Sequence, residues 1–349
     1  MENAPQENER YIRQCALPEI GIKEQKRLSQ ANIAIIGAGG LGCAALPYLA
    51  AAGIGHITIY DNDIISRSNL HRQTLYRDNE TGKGKARTAA DYARALNPDI
   101  KITAIAKRYT QNHSDKKYDL IIDGSDNFET KTLLNTISIV TQTPLICASV
   151  NQWAGQIGIF AGYAKNKPCY HCLFPALPSD ARNCNEAGIL GTSAGITGLY
   201  EAHITLGYLI GLNGFEPGRI LSFDFKTLRM QNLTLNKDKS CHHCKDGTQI
   251  WTPQEKKMAE LISMKDLKEK DFLIVDVRTD QEIVSDPVQC AAENYMHMEL
   301  QTVPARHEEL PKDKLIALLC AGNIRSVKAA DYLEGLGYDN IIVLDKFSL

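Results

Sequence analysis

The chain has 349 residues with 39 Lys and Arg against 41 Asp and Glu; a net charge of −2 argues against a dedicated binder of phosphate backbones, so nucleic acid is not favoured. The length exceeds what one core of ordinary size supports and predicts two domains. The polar, acidic opening Met1-Glu-Asn-Ala-Pro-Gln-Glu-Asn-Glu-Arg10 is unlike a secretory signal, and Asn135, Gln142, Pro144, Asn151 and Gln152 interrupt the uncharged stretch 132–164, so a cytoplasmic protein with no membrane partner is expected.

Residues 7–30 mix charged and apolar positions at helical spacing. The apolar run Ile33–Ile36 predicts a first strand, followed by Gly37-Ala-Gly-Gly-Leu-Gly42, an Ala- and Leu-rich helix over 43–52 and a β-branched strand over His56–Tyr60, which together make a βαβ unit. Helices over 87–96 and 129–140 alternate with strands at 100–104, 120–122 and 145–148, the pattern of a mainly parallel, doubly wound α/β sheet of Rossmann-like type. Beyond Cys241-His-His-Cys244 the composition turns charged. We read residues 1–248 as one domain, 249–260 as a linker and 261–349 as a small α/β domain with strands at 272–277, 315–319 and 341–344 and a helix over 326–336.

Gly37, Gly39 and Gly42 fit G-x-G-x-x-G between a strand and a helix, and Asp61 ends the next strand. Small residues let backbone N–H groups approach phosphates at a helix N-terminus, and a carboxylate so placed can accept ribose hydroxyls. The loop alone does not separate ATP from a nicotinamide dinucleotide. A dehydrogenase, however, would need a substrate-side acid or base that the sequence does not offer.

Further motifs follow in order: Arg10-Tyr-Ile-Arg-Gln14, Asp61-Asn-Asp63, Ser68-Asn-Leu-His-Arg-Gln73, Gly82-Lys-Gly-Lys85 and Asp123-Gly-Ser-Asp-Asn127. In these residues, from about 10 to 244, the chain resembles the MoeB/ThiF family of ubiquitin-activating-type adenylyltransferases. The resemblance implies ATP and magnesium as cofactors. It implies a nucleotide site drawn from Gly37, Gly39, Gly40, Gly42, Asp61, Asp63, Ser68, Asn69, Arg72, Lys85, Asp126 and Asn127. In that site Asn69, Arg72 and Lys85 contact phosphates, Asp126 holds the magnesium, and Gly40 and Asp61 frame the nucleotide, while Arg13 reaches the ATP of the other subunit of a homodimer. The chemistry suits these residue types, because a carboxylate attacking the α-phosphate brings two anions together and cations must offset the repulsion. The attacking carboxylate is already ionised and needs no general base. The implied acceptor is a ubiquitin-like sulfur-carrier protein ending in Gly-Gly, in molybdopterin, thiamine or another sulfur-requiring synthesis.

Ten cysteines in a reducing compartment point to metal binding and thiol chemistry rather than disulfides. Cys169-Tyr-His-Cys172 and Cys241-His-His-Cys244 are two C-x-x-C pairs able to complete a tetrahedral structural zinc site, with His171, His242 and His243 as substitute ligands. Cys184, in the small, polar segment 181–188, is placed like the family's loop cysteine, which links to the carrier or accepts sulfur in some members. Cys15, Cys43, Cys147 and Cys290 read as packing residues.

The strand 315–319 runs into Cys320-Ala-Gly-Asn-Ile-Arg325 and then a helix, a setting whose N–H groups favour a thiolate or persulfide. Together with Asp276-Val-Arg278 and Gly335-Leu-Gly-Tyr-Asp-Asn-Ile-Ile342, this resembles a rhodanese domain over about 256–345, with Asn323 where that family's loop usually has glycine. The resemblance implies that Cys320 carries sulfur taken from a donor such as a cysteine desulfurase. The alternative is adenylation of another acceptor, such as a tRNA base, with the rhodanese-like fold as a docking module.

Overall fold

The computed structural model describes residues 9–113, 117–175, 188–244, 261–262, 271–288, 291–320 and 324–344. The expected linker lies outside them. Contacts divide the chain into two units, residues 1–251 and 252–349.

In the first unit, α1 (Ile12–Cys15) and α2 (Ile22–Gln30) replace the continuous helical stretch that the spacing suggested. Pro18 interrupts it, and the Glu24 carboxylate accepts the Gly21 N–H at 3.1 Å to start α2. The chain continues through β1 (Asn32–Ile36), α3 (Gly40–Ala51), β2 (His56–Tyr60), α4 (Lys85–Leu96), β3 (Lys101–Ile105), β4 (Leu120–Asp123), α5 (Phe128–Thr141), β5 (Leu145–Asn151), β6 (Ala154–Phe160), α6 (Tyr170–Leu173), α7 (Gly191–Ile210), β7 (Arg219–Asp224) and β8 (Arg229–Thr234). Among the described residues they form one sheet in the order β3-β2-β1-β4-β5-β6-β7-β8. The first five strands are parallel, as expected, whereas β6, β7 and β8 are each antiparallel to the strand before.

Parallel strands covered on both faces are apolar throughout, and β1 shows why. Its Ile33 and Ile35 join Leu46, Leu49 and Ala89 in one core, while Ala34 and Ile36 join Leu134 and Ile137 of α5 in the other. The long helix α7 inverts the usual pattern. Ser193, Thr197, Glu201 and Thr205, spaced four apart, are buried, and Ile196 and Leu199 are exposed. Two hydroxyls answer the burial locally, Thr197 Oγ1 donating to Ser193 O and Thr205 Oγ1 to Glu201 O, both at 2.8 Å. Gly198 makes the packing possible, since a Cβ there would lie 2.5 Å from the Leu41 carbonyl oxygen of α3.

The second unit comprises β9 (Leu261–Ile262), β10 (Phe272–Asp276), α8 (Asp280–Ser285), β11 (Tyr295–His297), α9 (Val303–Arg306), β12 (Leu315–Leu319), α10 (Ile324–Gly335) and β13 (Ile341–Leu344). Among the described residues its strands are all parallel, in the order β11-β10-β12-β13-β9. Alternate residues of β10 and β12 again feed two cores, Val275 and Leu318 on one face, Ile274 and Ala317 on the other. Among the described residues, no helix is long and apolar enough to cross a membrane.

Candidate active site

The strand order reverses direction at β1, with β2 on one side and β4 on the other, and in open α/β sheets ligands bind in the crevice beyond the carboxyl ends of such strands. Two loops meet there. The first, Gly37–Gly39, follows β1. Gly37 has φ +98°, which favours glycine, and a Cβ on Gly42 would lie 2.1 Å from the Gly37 carbonyl oxygen. The second, Gly124–Asn127, follows β4 and packs against the first, where a Cβ on Gly124 would lie 3.1 Å from the same oxygen.

Asp61, at the end of β2, braces the first loop. Its Oδ2 accepts the Ala38 N–H and its Oδ1 the Asp63 N–H, both at 2.8 Å. Burial pushes its carboxyl up, against the pull of those two N–H groups and of Lys85. Lys85 opens α4, is 5% exposed and reaches Asp63 Oδ2 at 2.9 Å. Arg72 donates to Ser68 O at 3.3 Å and to His71 Nε2 at 2.8 Å, and its Cγ is 3.7 Å from where a Cβ on Gly40 would sit. Gly40, the first residue of α3, therefore faces Arg72, and the start of α7 joins them, since Gly191 abuts the His71 carbonyl. The half-buried Asn69 lies in the same turn, its carbonyl accepting the N–H groups of Arg72 and Gln73, and Ser68 Oγ is 3.0 Å from Ser66 Oγ.

Asp126 is the exposed tip of the second loop. Asn127 is the N-cap of α5, its Oδ1 accepting the Thr130 N–H at 2.8 Å, which is reason enough for its presence. Arg13 is not brought to the crevice of its own chain. Its helix lies by Ala52 and Gly53, at the far end of α3, roughly 18 Å of helix from Gly40. Sequence reasoning gave no role to Tyr76, whose hydroxyl donates to Ala38 O at 2.8 Å, or to Gln73, which closes the quoted motif and whose Nε2 lies 3.8 Å from where a Cβ on Gly39 would sit. The motif placed Gln73 near the site without showing that it meets the glycine loop.

The four cysteines of the two pairs converge. The Sγ separations are 3.7 Å for Cys169–Cys241, 3.9 Å for Cys169–Cys172 and 3.6 Å for Cys172–Cys244. A tetrahedral ion with thiolates at about 2.3 Å requires sulfurs roughly 3.8 Å apart, so the quartet fits a metal ion. Its histidines are bystanders to that quartet, with His171 stacked on His243 at 3.7 Å between centroids. Cys43 is a packing residue, buried and with its thiol pushed up to about 12 by that burial. Cys147 packs in the core as expected, beside Leu145, Phe160 and Tyr170, and its thiol also donates to Asp123 Oδ2 at 3.0 Å, a polar contact the sequence did not reveal. Cys184 and Cys290 lie outside the described residues.

In the second unit Cys320 follows β12, is 1% exposed and lies 3.3 Å from Ser326 Oγ. Residues 321–323 lie outside the described residues. Arg325 forms a two-pronged pair with Glu282 at 2.6 and 2.7 Å, and Asp276 and Arg278 form a buried pair at 2.7 Å at the end of β10, where Asp276 is paired with Leu319. Neither pair was marked as such by the sequence motifs.

The profile of the ThiF family matches residues 11–243, two thirds of the chain. The chain belongs to the ThiF family. The rhodanese-like domain profile matches residues 258–347, so a ThiF domain is followed by a rhodanese-like domain. The chain is 38% identical over 250 residues to the adenylyltransferase and sulfurtransferase MOCS3 of Culex quinquefasciatus, covering 69% of this chain but 56% of that relative. The chain thus matches little more than half the length of such MOCS3 relatives. It is 35% identical over 249 residues to the sulfur carrier protein adenylyltransferase of Thermus thermophilus, covering 69% of this chain and 92% of that protein. Among solved structures, Escherichia coli MccB with MccA-N7isoASN superposes with a TM-score of 0.61 at 19% identity, covering 70% of this chain and 76% of that one, a likeness of fold.

Proposed function

We propose that this ThiF-family protein uses ATP to adenylate the C-terminal glycine carboxylate of a ubiquitin-like sulfur-carrier protein and that its rhodanese-like domain then delivers sulfur to give a thiocarboxylate. The observation that carries the reading is the convergence, at the β1/β4 crevice, of the two glycine-bearing loops with Arg72, Lys85 and an exposed Asp126. The names and identities of the Thermus and MOCS3 relatives support it.

In this reading the glycine loop and the start of α3 take the phosphates, with Asn69, Arg72 and Lys85 offsetting their charge and Asp61, which braces the loop, framing the nucleotide. Lys85 is held by Asp63 until phosphate competes for it. Asp126 would hold magnesium, which screens the departing pyrophosphate. The carrier carboxylate attacks the α-phosphate, the bond to pyrophosphate breaks, and an acyl-adenylate remains. A persulfide on Cys320 displaces AMP to form an acyl disulfide. A second thiol, for which Cys184 is the candidate, cleaves the S–S bond and leaves the carrier thiocarboxylate with a disulfide on the protein. The donor of the persulfide sulfur is a cysteine desulfurase or an equivalent enzyme. Zinc at the four cysteines is structural, because four thiolates leave no open position. Arg13 acts across a homodimer, a role supported by its distance from its own crevice and by the exposed Tyr48, Ile196 and Leu199 on the neighbouring helices α3 and α7.

The test is ATP–pyrophosphate exchange with candidate carriers ending in Gly-Gly. Carrier-dependent exchange that falls about a hundredfold in Asp126→Ala is expected. Failure of every carrier to support exchange, with protein that is folded, zinc-loaded and binds ATP, would mean that the carrier set is wrong or that the acceptor is not a protein, and tRNA would be tried next.

A further inference from the structure

Behind the exposed Asp126 lies a buried group that the proposed chemistry does not use. Asp123, wholly buried at the end of β4, receives four donors. Its Oδ1 accepts the Ser125 N–H at 3.0 Å and the Ser125 hydroxyl at 2.5 Å. Its Oδ2 accepts the Lys131 ammonium at 2.8 Å and the Cys147 thiol at 3.0 Å. Lys131, on the first turns of α5 and 3% exposed, donates also to the Ala148 carbonyl of β5 at 2.7 Å. One ammonium thus ties the end of β4 and the middle of β5 to the start of α5. Burial works to strip Lys131 of its proton, and the Asp123 carboxylate outweighs it, holding the lysine charged above its ordinary range.

The turn between these anchors is Gly124–Asn127. Gly124 N–H is bound to Ile36 O at 2.9 Å, Ser125 is bound twice to Asp123, and Asn127 caps α5. Asp126 is the exposed residue of this turn, its Oδ1 accepting from Asn127 Nδ2 at 3.5 Å, on a framework pinned on both flanks.

We infer that Lys131 is a positioning residue: by clamping Asp123 and Ala148 it fixes the Gly124–Asn127 turn and so sets where Asp126 presents its carboxylate to the metal–nucleotide complex. The inference rests on the reading of Asp126 as the metal ligand. A clamp that served folding alone would leave metal affinity untouched once the protein is folded. A positioning clamp moves it, and the cation, rather than packing volume, is what matters, so arginine should substitute where methionine does not.

The experiment titrates Mn2+ into the full chain, zinc-loaded and saturated with a non-hydrolysable ATP analogue, and reads bound metal by electron paramagnetic resonance. Wild type is compared with Lys131→Met, Lys131→Arg and Asp126→Ala. Half-saturation should rise about 10- to 100-fold in Lys131→Met and about as much in Asp126→Ala, and stay within about threefold of wild type in Lys131→Arg. Should Lys131→Met fail to fold on its buried, unpaired carboxylate, the pair Lys131→Met with Asp123→Asn removes both charges and carries the same expectation. An unchanged half-saturation in a folded Lys131 variant, with Asp126→Ala weakened, overturns this inference alone. An unchanged Asp126→Ala overturns the reading of Asp126 and the inference with it.

Discussion

Replacing Glu201 with methionine should make the larger unit more stable. Glu201 sits on α7 with none of its surface exposed, and among the described residues neither carboxyl oxygen has a hydrogen-bond partner. A buried polar group left unsatisfied costs about 1–3 kcal/mol, and methionine fills nearly the same volume without that penalty. In a unit of this size each kcal/mol moves the melting temperature by roughly 2–4 °C, so a rise of about 2–12 °C is expected. The pH dependence gives the sharper test. Burial, with the nearby Asp123 charge, raises the Glu201 pKa well above its ordinary 4.5. Below the unfolded value the side chain is neutral in both states and contributes no slope. As pH rises past it the unfolded chain ionises while the folded one stays protonated, so wild-type stability falls relative to the variant. Differential scanning calorimetry of wild type and Glu201→Met at about pH 5 and about pH 8 should show the larger gap at the higher pH. A gap independent of pH, or a variant that melts lower, would refute the reasoning.

Cys241→Ser should abolish zinc binding, measured by elemental analysis, and lower the transition of the larger unit by about 10 °C or more, and a chelator should reproduce the effect in wild type. Unaltered zinc content would remove the quartet as the metal centre. In the smaller unit, hydrogen bonds from Arg325 hold the Glu282 carboxyl down at about 2. The stability this pair contributes is complete above the ordinary value of 4.5 and is lost as pH falls toward about 2, so the advantage of wild type over Glu282→Gln in the smaller unit's melting should shrink through that window. A constant difference would mean that the pair carries no such linkage.

The elements that sequence alone revealed are those in which local chemistry and tertiary role agree. Ile33–Ile36 and His56–Tyr60 are β-branched runs, and the glycine loop between them announces a conformation that other residues resist. The two Cys pairs were legible because metal geometry demands that spacing. What was missed runs against local rules. β6 begins three residues after β5 and turns the sheet antiparallel, and α7 carries four glycines and faces its hydroxyls and a carboxyl inward, which reads as loop rather than helix. Lys131 shows the other limit. A lysine at the start of an amphipathic helix reads as a solvated charge, and only the approach of β4 and β5 from distant sequence makes it a buried clamp.

The cysteine quartet also sets an order in time. Its first pair is made at residues 169 and 172 and its second at 241 and 244, so the knot cannot close until the last described residue of the larger unit has left the ribosome. Closing a loop of 68 residues, from Cys172 to Cys241, costs about 4 kcal/mol of chain entropy before any thiol meets another. At roughly 5–20 residues per second the two pairs are separated by several seconds of synthesis, during which β1 to β5 are already complete. Metal capture would then close a segment that holds α7, β7 and β8, and because the start of α7 abuts the His71 carbonyl, metal-starved cells would accumulate chains whose nucleotide crevice is unsecured on that side.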